Sequence, residues 1–429
     1  MTEIFALTAR ALISGAHSPR DIALAHLARI EAYEPRVRAF AHFDAAEALA
    51  AAQRCAGPLA GLPVAVKDII DTADMPTAWG AARLARRQPQ RDSTLVARLK
   101  AAGAFVIGKA VTSQYALFVP GPTVNPRDLA RTPGGSSSGS AAAVAAGFAP
   151  VALGTQTNGS IVRPASYCGI VGFKPSFGML PRTGVLRHCA LVDHPGVFAR
   201  DVQDAALLVD ALAGADGEDA DCRDAHGSLL AATSDTRPPR LAWLTDPYAE
   251  RAEPATRDRL AAFAEKLAIE RIELEPEFTE ADAIMRVLMS AGFAQSLGAE
   301  IDAEGDGAAD VLQATLRYAR TLTATDFVEA LVKRDRLRAL AQARLAPFDA
   351  VLTFAAAGEA PLRAEGAGDP IFATLWSLIG APAFSLPLLA GPNGLPIGVQ
   401  AVAAPGADAG LTLAAHWLFE RFASVSLSP

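Results

Sequence analysis

The chain has 429 residues, with 39 Lys+Arg against 46 Asp+Glu and a formal net charge of −7. Hydrophobic residues make up 51% and charged residues 20%, which supplies a large buried core and excludes a wholly disordered chain. The acidic balance provides no basic stripe for coating nucleic acid, so no nucleic-acid partner is expected.

The N-terminus alternates apolar and charged residues at helical spacing. It has neither a secretion signal's apolar core nor the roughly 20 apolar residues that cross a bilayer, so the expected setting is cytoplasmic, without membrane contact. Residues 3–15 and 19–33 read as helices, the second opened by Ser18 as cap and Pro19 in its first turn. Residues 41–54 read as an Ala-rich helix stopped by Gly57 and Pro58. Short apolar runs then predict strands over 62–66, 105–107, 151–153 and 170–173, with helices over 93–102 and 141–146 between them. This alternation implies an α/β fold, one mixed and mostly parallel sheet covered by helices on both faces. A helix over 202–213 is followed by a polar loop over 214–239, a strand over 240–244 and a helix near 254–269. Residues 279–345 read as mostly helical, 349–354 and 383–389 as strands, and 410–422 as a terminal helix. Neither an internal repeat nor a low-complexity linker divides the chain, so a single large domain is expected.

Cys55, Cys168, Cys189 and Cys222 show neither CxxC spacing nor the density of a disulfide scaffold, and Cys168 and Cys189 read as small buried hydrophobes. The seven His residues form no HExxH or HxH cluster, so no metal site is expected. The informative stretch is 131–147, RTPGGSSSGSAAAVAAG. A flexible linker would not run straight into an Ala/Val helix between two strands. A phosphate cradle would need a GK[ST] or GxGxxG ending, which is missing. Residues 135–139 formally satisfy GxSxG with Ser137 as nucleophile, but that elbow must follow a buried strand, and NPRDLARTP at 125–133 cannot be one.

Three blocks follow one another: GLPVAVKD at 61–68, TPGGSSSGSAAAVAAG at 132–147 and GTQTNGSIVRPASYCGIVGFKPS at 154–176. Together they resemble the amidase signature family, serine hydrolases with a Ser–cis-Ser–Lys triad. The resemblance continues through a GVFARDVQDAALL helix at 196–208 and resumes in IGAPAFSLPLLAGPNGLPIGVQAV at 379–402. It implies N-terminal helices over 1–55, a catalytic core over 56–213, a variable substrate-shaping region over 214–370 and a C-terminal core part over 371–429. By position Ser160 would be the nucleophile, Ser136 the bridging serine after a cis Gly135–Ser136 peptide, and Lys67 the base. A serine hydroxyl needs an adjacent base, and a lysine serves only when neutral, which burial favours. Lys67 ends an apolar run, but so do Lys109 and Lys174, and only the resemblance singles it out. The backbone N–H groups of Thr157, Asn158, Gly159 and Ser160 would form the oxyanion hole. The resemblance implies no cofactor and a homodimer.

The family's usual D-x-G-G-S-I-R becomes Gln156 to Arg163 here, with Gln156 for the acid, Asn158 for a Gly, and the arginine one place later. This variant looks like the branch containing malonamidases, where an arginine grips a substrate carboxylate. Arg163 would do so here, or would be a structural arginine; Gly135 and Ser137 would join it in contacting substrate. Residues 119–126 and 279–345 would shape the pockets, with Phe118, Phe372, Leu375 and Trp376 as lining or as core. The expected function is cleavage of the C–N bond of small amides or carbamates through an acyl-enzyme. The alternatives are the amidase-like subunit of a tRNA-dependent amidotransferase, and a urethanase-like carbamate or aryl-ester hydrolase.

Overall fold

The computed structural model describes residues 3–224 and 227–423. Its strands are β1 Phe40–His42, β2 Pro63–Lys67, β3 Phe105–Ala110, β4 Val151–Gln156, β5 Val171–Lys174, β6 His194–Ala199, β7 Leu241–Thr245, β8 Glu270–Glu273, β9 Ala350–Phe354, β10 Ala383–Ala390 and β11 Pro396–Val402. They form a single sheet in the order β1-β3-β2-β4-β6-β5-β10-β11-β9-β7-β8. Most central strands are buried along their whole length, which explains why they read as continuous apolar runs rather than alternating ones.

The sheet is mixed, but antiparallel pairings outnumber parallel ones. Only β2–β3, β2–β4, β7–β8 and β7–β9 run parallel. The expected parallel majority fails because residues 196–199, expected in a helix, belong to β6. That strand lies antiparallel between β4 and β5. Its run Pro195 to Ala199 is wholly buried, and Asp201 then caps a helix Val202–Leu212 by accepting from Asp204 N–H. At the N-terminus, the helix expected over 3–15 breaks at Thr8, which caps the short helix Ala9–Leu12. The next helix, Pro19–Val37, runs past Pro35 and ends at Arg38, whose φ is +54°. Glu34 then accepts from the N–H groups of Ala39 and Phe40, turning residues 40–42 into an edge strand instead of the start of a helix.

The stretch 279–345 is mostly three helices, Ala281–Glu304, Asp310–Ala319 and Ala324–Leu345, packed around Leu288, Phe293, Leu297, Leu312 and Leu337. The Ala-rich helix Ser138–Ala146 is buried at every residue and presses on the end of β3. A Cβ at Gly139 would lie 2.2 Å from Val111 N and 2.3 Å from Ala39 O, so only glycine permits that approach. Among the described residues no helix is long and apolar enough to cross a membrane.

Candidate active site

Parallel β2 and β4 are neighbours, with Val64 opposite Val151 and Val66 opposite Leu153. Their carboxyl ends therefore deliver Lys67 and the segment after Gln156 to one place, where open α/β sheets commonly hold ligands. The loop before helix Ser138–Ala146 brings in Ser136 after a cis Gly135–Ser136 peptide. Gly134 makes the turn at φ +81°, and a Cβ there would stand 2.9 Å from Pro164 Cα. Ser136, Ser160 and residues 157–159 all line one small cavity of about 20 Å³, room for about one water molecule. A larger space of about 470 Å³ beside Cys55 and Lys100 carries no comparable nucleophile and base.

Lys67 is wholly buried, and its Nζ donates to Ser136 Oγ at 2.7 Å and to Thr155 Oγ1 at 2.8 Å. Desolvation pulls the ammonium down to about 7, against an upward pull from Asp193. Lys109 and Lys174 are as deeply buried and are also lowered, to about 8 and about 7. What separates Lys67 from them is its partner. Lys109 donates to Thr72, Thr77 and the Ile70 carbonyl, and Lys174 to the backbone carbonyls of Pro175 and Ala381, whereas Lys67 reaches a serine in the cavity.

Gln156 explains how the segment keeps its shape without the acid. Its Oε1 accepts from Ile161 N at 2.8 Å and Val162 N at 3.0 Å, which satisfies the start of helix Val162–Cys168. Its Nε2, the group a carboxylate lacks, donates to Ser377 Oγ at 2.9 Å. Asn158 is held by Thr374, whose hydroxyl donates to Asn158 Oδ1 at 2.7 Å. Among the described residues no protein acceptor takes the backbone N–H of Asn158, Gly159 or Ser160, as donors aimed at a developing oxyanion require. Gly159 is needed for a close approach: a Cβ there would sit 3.0 Å from Pro370 Cβ and 3.3 Å from Arg163 Nη1.

Arg163 lies on the cavity wall, buried, with Nη2 donating to Gly135 O at 2.6 Å. Its Nε and Nη1 have no partner among the described residues. Burial opposes the guanidinium charge, while Tyr167 and Asp369 favour it. Gly135 also lines the cavity, but Ser137 does not. The Ser137 hydroxyl donates to Thr155 O at 3.1 Å and accepts from Thr155 N at 3.4 Å, clamping the serine loop to β4. The loop wall is Ser113 with residues 116–118, a few positions before the expected 119–126. Tyr115, Ala116 and Phe118 there adopt left-handed backbone, the kind of strain that collects at functional sites. Phe118 lines the cavity, whereas Phe372, Leu375 and Trp376 are core.

Sequence reasoning missed His188 and Asp193, whereas Met289 falls within the 279–345 stretch expected to shape the pockets. His188 and Met289 line the cavity. Asp193 accepts from Thr157 Oγ1 at 2.6 Å and from the N–H groups of His188 and Cys189, and burial raises its carboxyl to about 6. None stands in a local motif, and their place depends on tertiary packing.

The family model described as Amidase matches residues 21–412. The chain is 34% identical to the A subunit of glutamyl-tRNA(Gln) amidotransferase from Salinispora arenicola, over 95% of this chain and 96% of that protein. Identity reaches 45% with the protein of the same name from Roseiflexus castenholzii, over 52% of this chain; that match spans about half of the relative's length, 49%. One similar solved structure is described as an unexpected vestigial protein complex revealing the origins of an s-triazine catabolic enzyme. Its TM-score is 0.89 at 29% identity, over 96% of this chain and 97% of that one. Another, the A subunit of the glutamyl-tRNA(Gln) amidotransferase from Thermotoga maritima, has a TM-score of 0.84 at 27% identity, over 98% of this chain and 96% of that one.

Proposed function

The chain belongs to the amidase family, an enzyme family acting on C–N bonds, and we propose that it is a serine amidohydrolase for small amides bearing a carboxylate. Ser160 attacks the amide carbonyl, and its proton passes through Ser136 to neutral Lys67. The returning proton leaves with the amine, and water then releases the acid from the acyl-enzyme. The N–H groups of residues 157–160 receive the oxyanion. The Lys67–Ser136 bond of 2.7 Å, made by a wholly buried amine, is the observation that carries the reading. The two unengaged donors of buried Arg163 support the carboxylate, because a guanidinium forks naturally onto one.

A second reading has the relatives' names behind it: the ammonia-releasing subunit of an amidotransferase, working with partner subunits on a tRNA-linked reaction. Glutamine is itself a carboxylate-bearing amide, so the same residues serve. This reading admits protein partners and a nucleic-acid link that the acidic composition alone does not anticipate.

Purified protein is tested on malonamate, glutamine, a neutral aliphatic amide, an aryl amide and an aryl carbamate, beside Ser160→Ala and Arg163→Ala. We expect the carboxylate-bearing amides to be preferred, and Arg163→Ala to raise their KM about 100-fold or more while sparing neutral amides. A preference for aryl amides or carbamates untouched by Arg163→Ala would instead support an apolar, urethanase-like pocket. Glutamine turnover only when partner subunits co-purify would support the amidotransferase reading.

A further inference from the structure

His188 takes part in none of the steps above, yet it stands on the wall of the reacting cavity. It is 2% exposed, and neither ring nitrogen makes a well-formed hydrogen bond among the described residues, the Tyr115 backbone being the one acceptor near the ring. Buried polar side chains are almost always satisfied, so the ring nitrogen left with nothing to bond points to a ligand that completes it. The ring is held in place: it packs against Phe293 with centroids 5.0 Å apart, and the residue's backbone N–H donates to Asp193 at 2.7 Å.

Two small spaces meet at this ring. One is the cavity of about 20 Å³ shared with Ser136 and Ser160; the other, of about 10 Å³, is shared with Thr155 and Asp193. A group entering so small a space lies against all of its walls. Burial first, and the nearby Lys67 charge second, lower the imidazole to about 4, although the Tyr115 backbone favours the charged form. The ring is therefore neutral at neutral pH and offers one bare nitrogen and one N–H. His188 shares the smaller space with Thr155, to whose hydroxyl Lys67 donates, and so lies on the side where the leaving nitrogen collects its proton; Arg163 lines only the other space. Arg163 is turned to the Gly135 carbonyl and Asp369.

We propose that His188 is a specificity-determining residue whose bare ring nitrogen accepts a hydrogen bond from the second N–H of a primary carboxamide, the one that an aryl group replaces in an anilide, so that the site selects unsubstituted carboxamides over N-aryl amides of the same acid. This rests on the amidohydrolase reading and deepens it by naming the leaving group as ammonia. Arg163 and His188 then read the two ends of a short substrate.

The test compares His188→Phe and His188→Asn with the unaltered protein on malonamate and on its anilide. His188→Phe keeps a ring against Phe293 but loses the acceptor. It should lower kcat/KM for malonamate about 10- to 100-fold, chiefly through KM, and change the anilide less than about 3-fold. His188→Asn, which retains an acceptor and a donor, should recover part of the loss. Protection of Ser160 by malonamate against a sulfonyl fluoride should weaken by the same factor, a readout that needs no turnover. Equal losses on both substrates, or no change in either variant, would overturn the role of His188. Failure of the unaltered protein to label at Ser160 would overturn the hydrolase reading and this proposal with it. Normal labelling with unchanged selectivity overturns this proposal alone.

Discussion

Lowering the pH from about 9 to about 5 should switch off this enzyme through Lys67. Burial takes its ammonium from the ordinary 10.5 to about 7. About half of the side chain is then neutral at neutral pH, against about one in 3,000 for an exposed lysine, a gain of roughly three orders of magnitude in usable base. The net bias against the ammonium behind that shift is about 5 kcal/mol. Because the neutral amine is the working form, protonation removes activity: kcat/KM should fall about 10-fold per unit below about pH 7, and about 100-fold by about pH 5. Asp193 modulates the curve. Its carboxylate raises Lys67, so Asp193→Asn should move the midpoint to lower pH; protonation of Asp193 itself, at about 6, should make the acid limb shallower. Ammonia release at limiting substrate gives kcat/KM, sulfonyl fluoride labelling of Ser160 gives the nucleophile's own profile, and a melting curve at each pH separates unfolding from titration. A profile flat down to about pH 5, or a midpoint that rises in Asp193→Asn, would refute Lys67 as the base.

Two further substitutions separate the serines and test the nucleophile segment. Ser160→Ala should abolish both turnover and labelling. Ser137→Ala should retain labelling and lose only the clamp to Thr155, about 1–2 kcal/mol in a denaturant titration. Gln156→Leu strands the N–H groups of Ile161 and Val162 and removes the donor to Ser377 Oγ, whose own hydroxyl still donates to Asn158 O, and should cost about 2–5 kcal/mol in the same titration. Its kcat should fall about 100-fold as the oxyanion donors lose their alignment; unchanged kcat would mean the segment is held by other contacts. Arg163→Lys keeps a charge but not the fork, and should leave the KM for malonamate raised at least about 10-fold.

Local pattern carried much of the fold. The wholly apolar runs became buried strands, the cap Ser18 opens its helix, and the stretch Ser138–Ala146 is a buried helix. The misreadings share one cause. Residues 40–42 and 194–199 are strands because a neighbour waits for them, β3 for the first and β4 with β5 for the second. Propensity does not report partners that lie far along the chain.

The site divides in the same way. In the sequence, Lys67, Ser136, Ser160, the segment 157–160 and Arg163 are marked by resemblance to a known family, carried by three short blocks in the family's order. Sequence by itself did not tell Lys67 from Lys109 and Lys174 on burial, which are equally desolvated. The three-dimensional arrangement decided that Lys67 faces Ser136, that Ser137 serves β4, and that Gln156 replaces an acid by spending its amide on Ser377. It alone brought His188 and Asp193 to the cavity, because their positions follow from packing against Phe293 and Thr157, residues distant or unremarkable in sequence. Covalent order sets which groups the chain owns; hydrogen-bond satisfaction in a closed interior sets which of them are left over for a substrate.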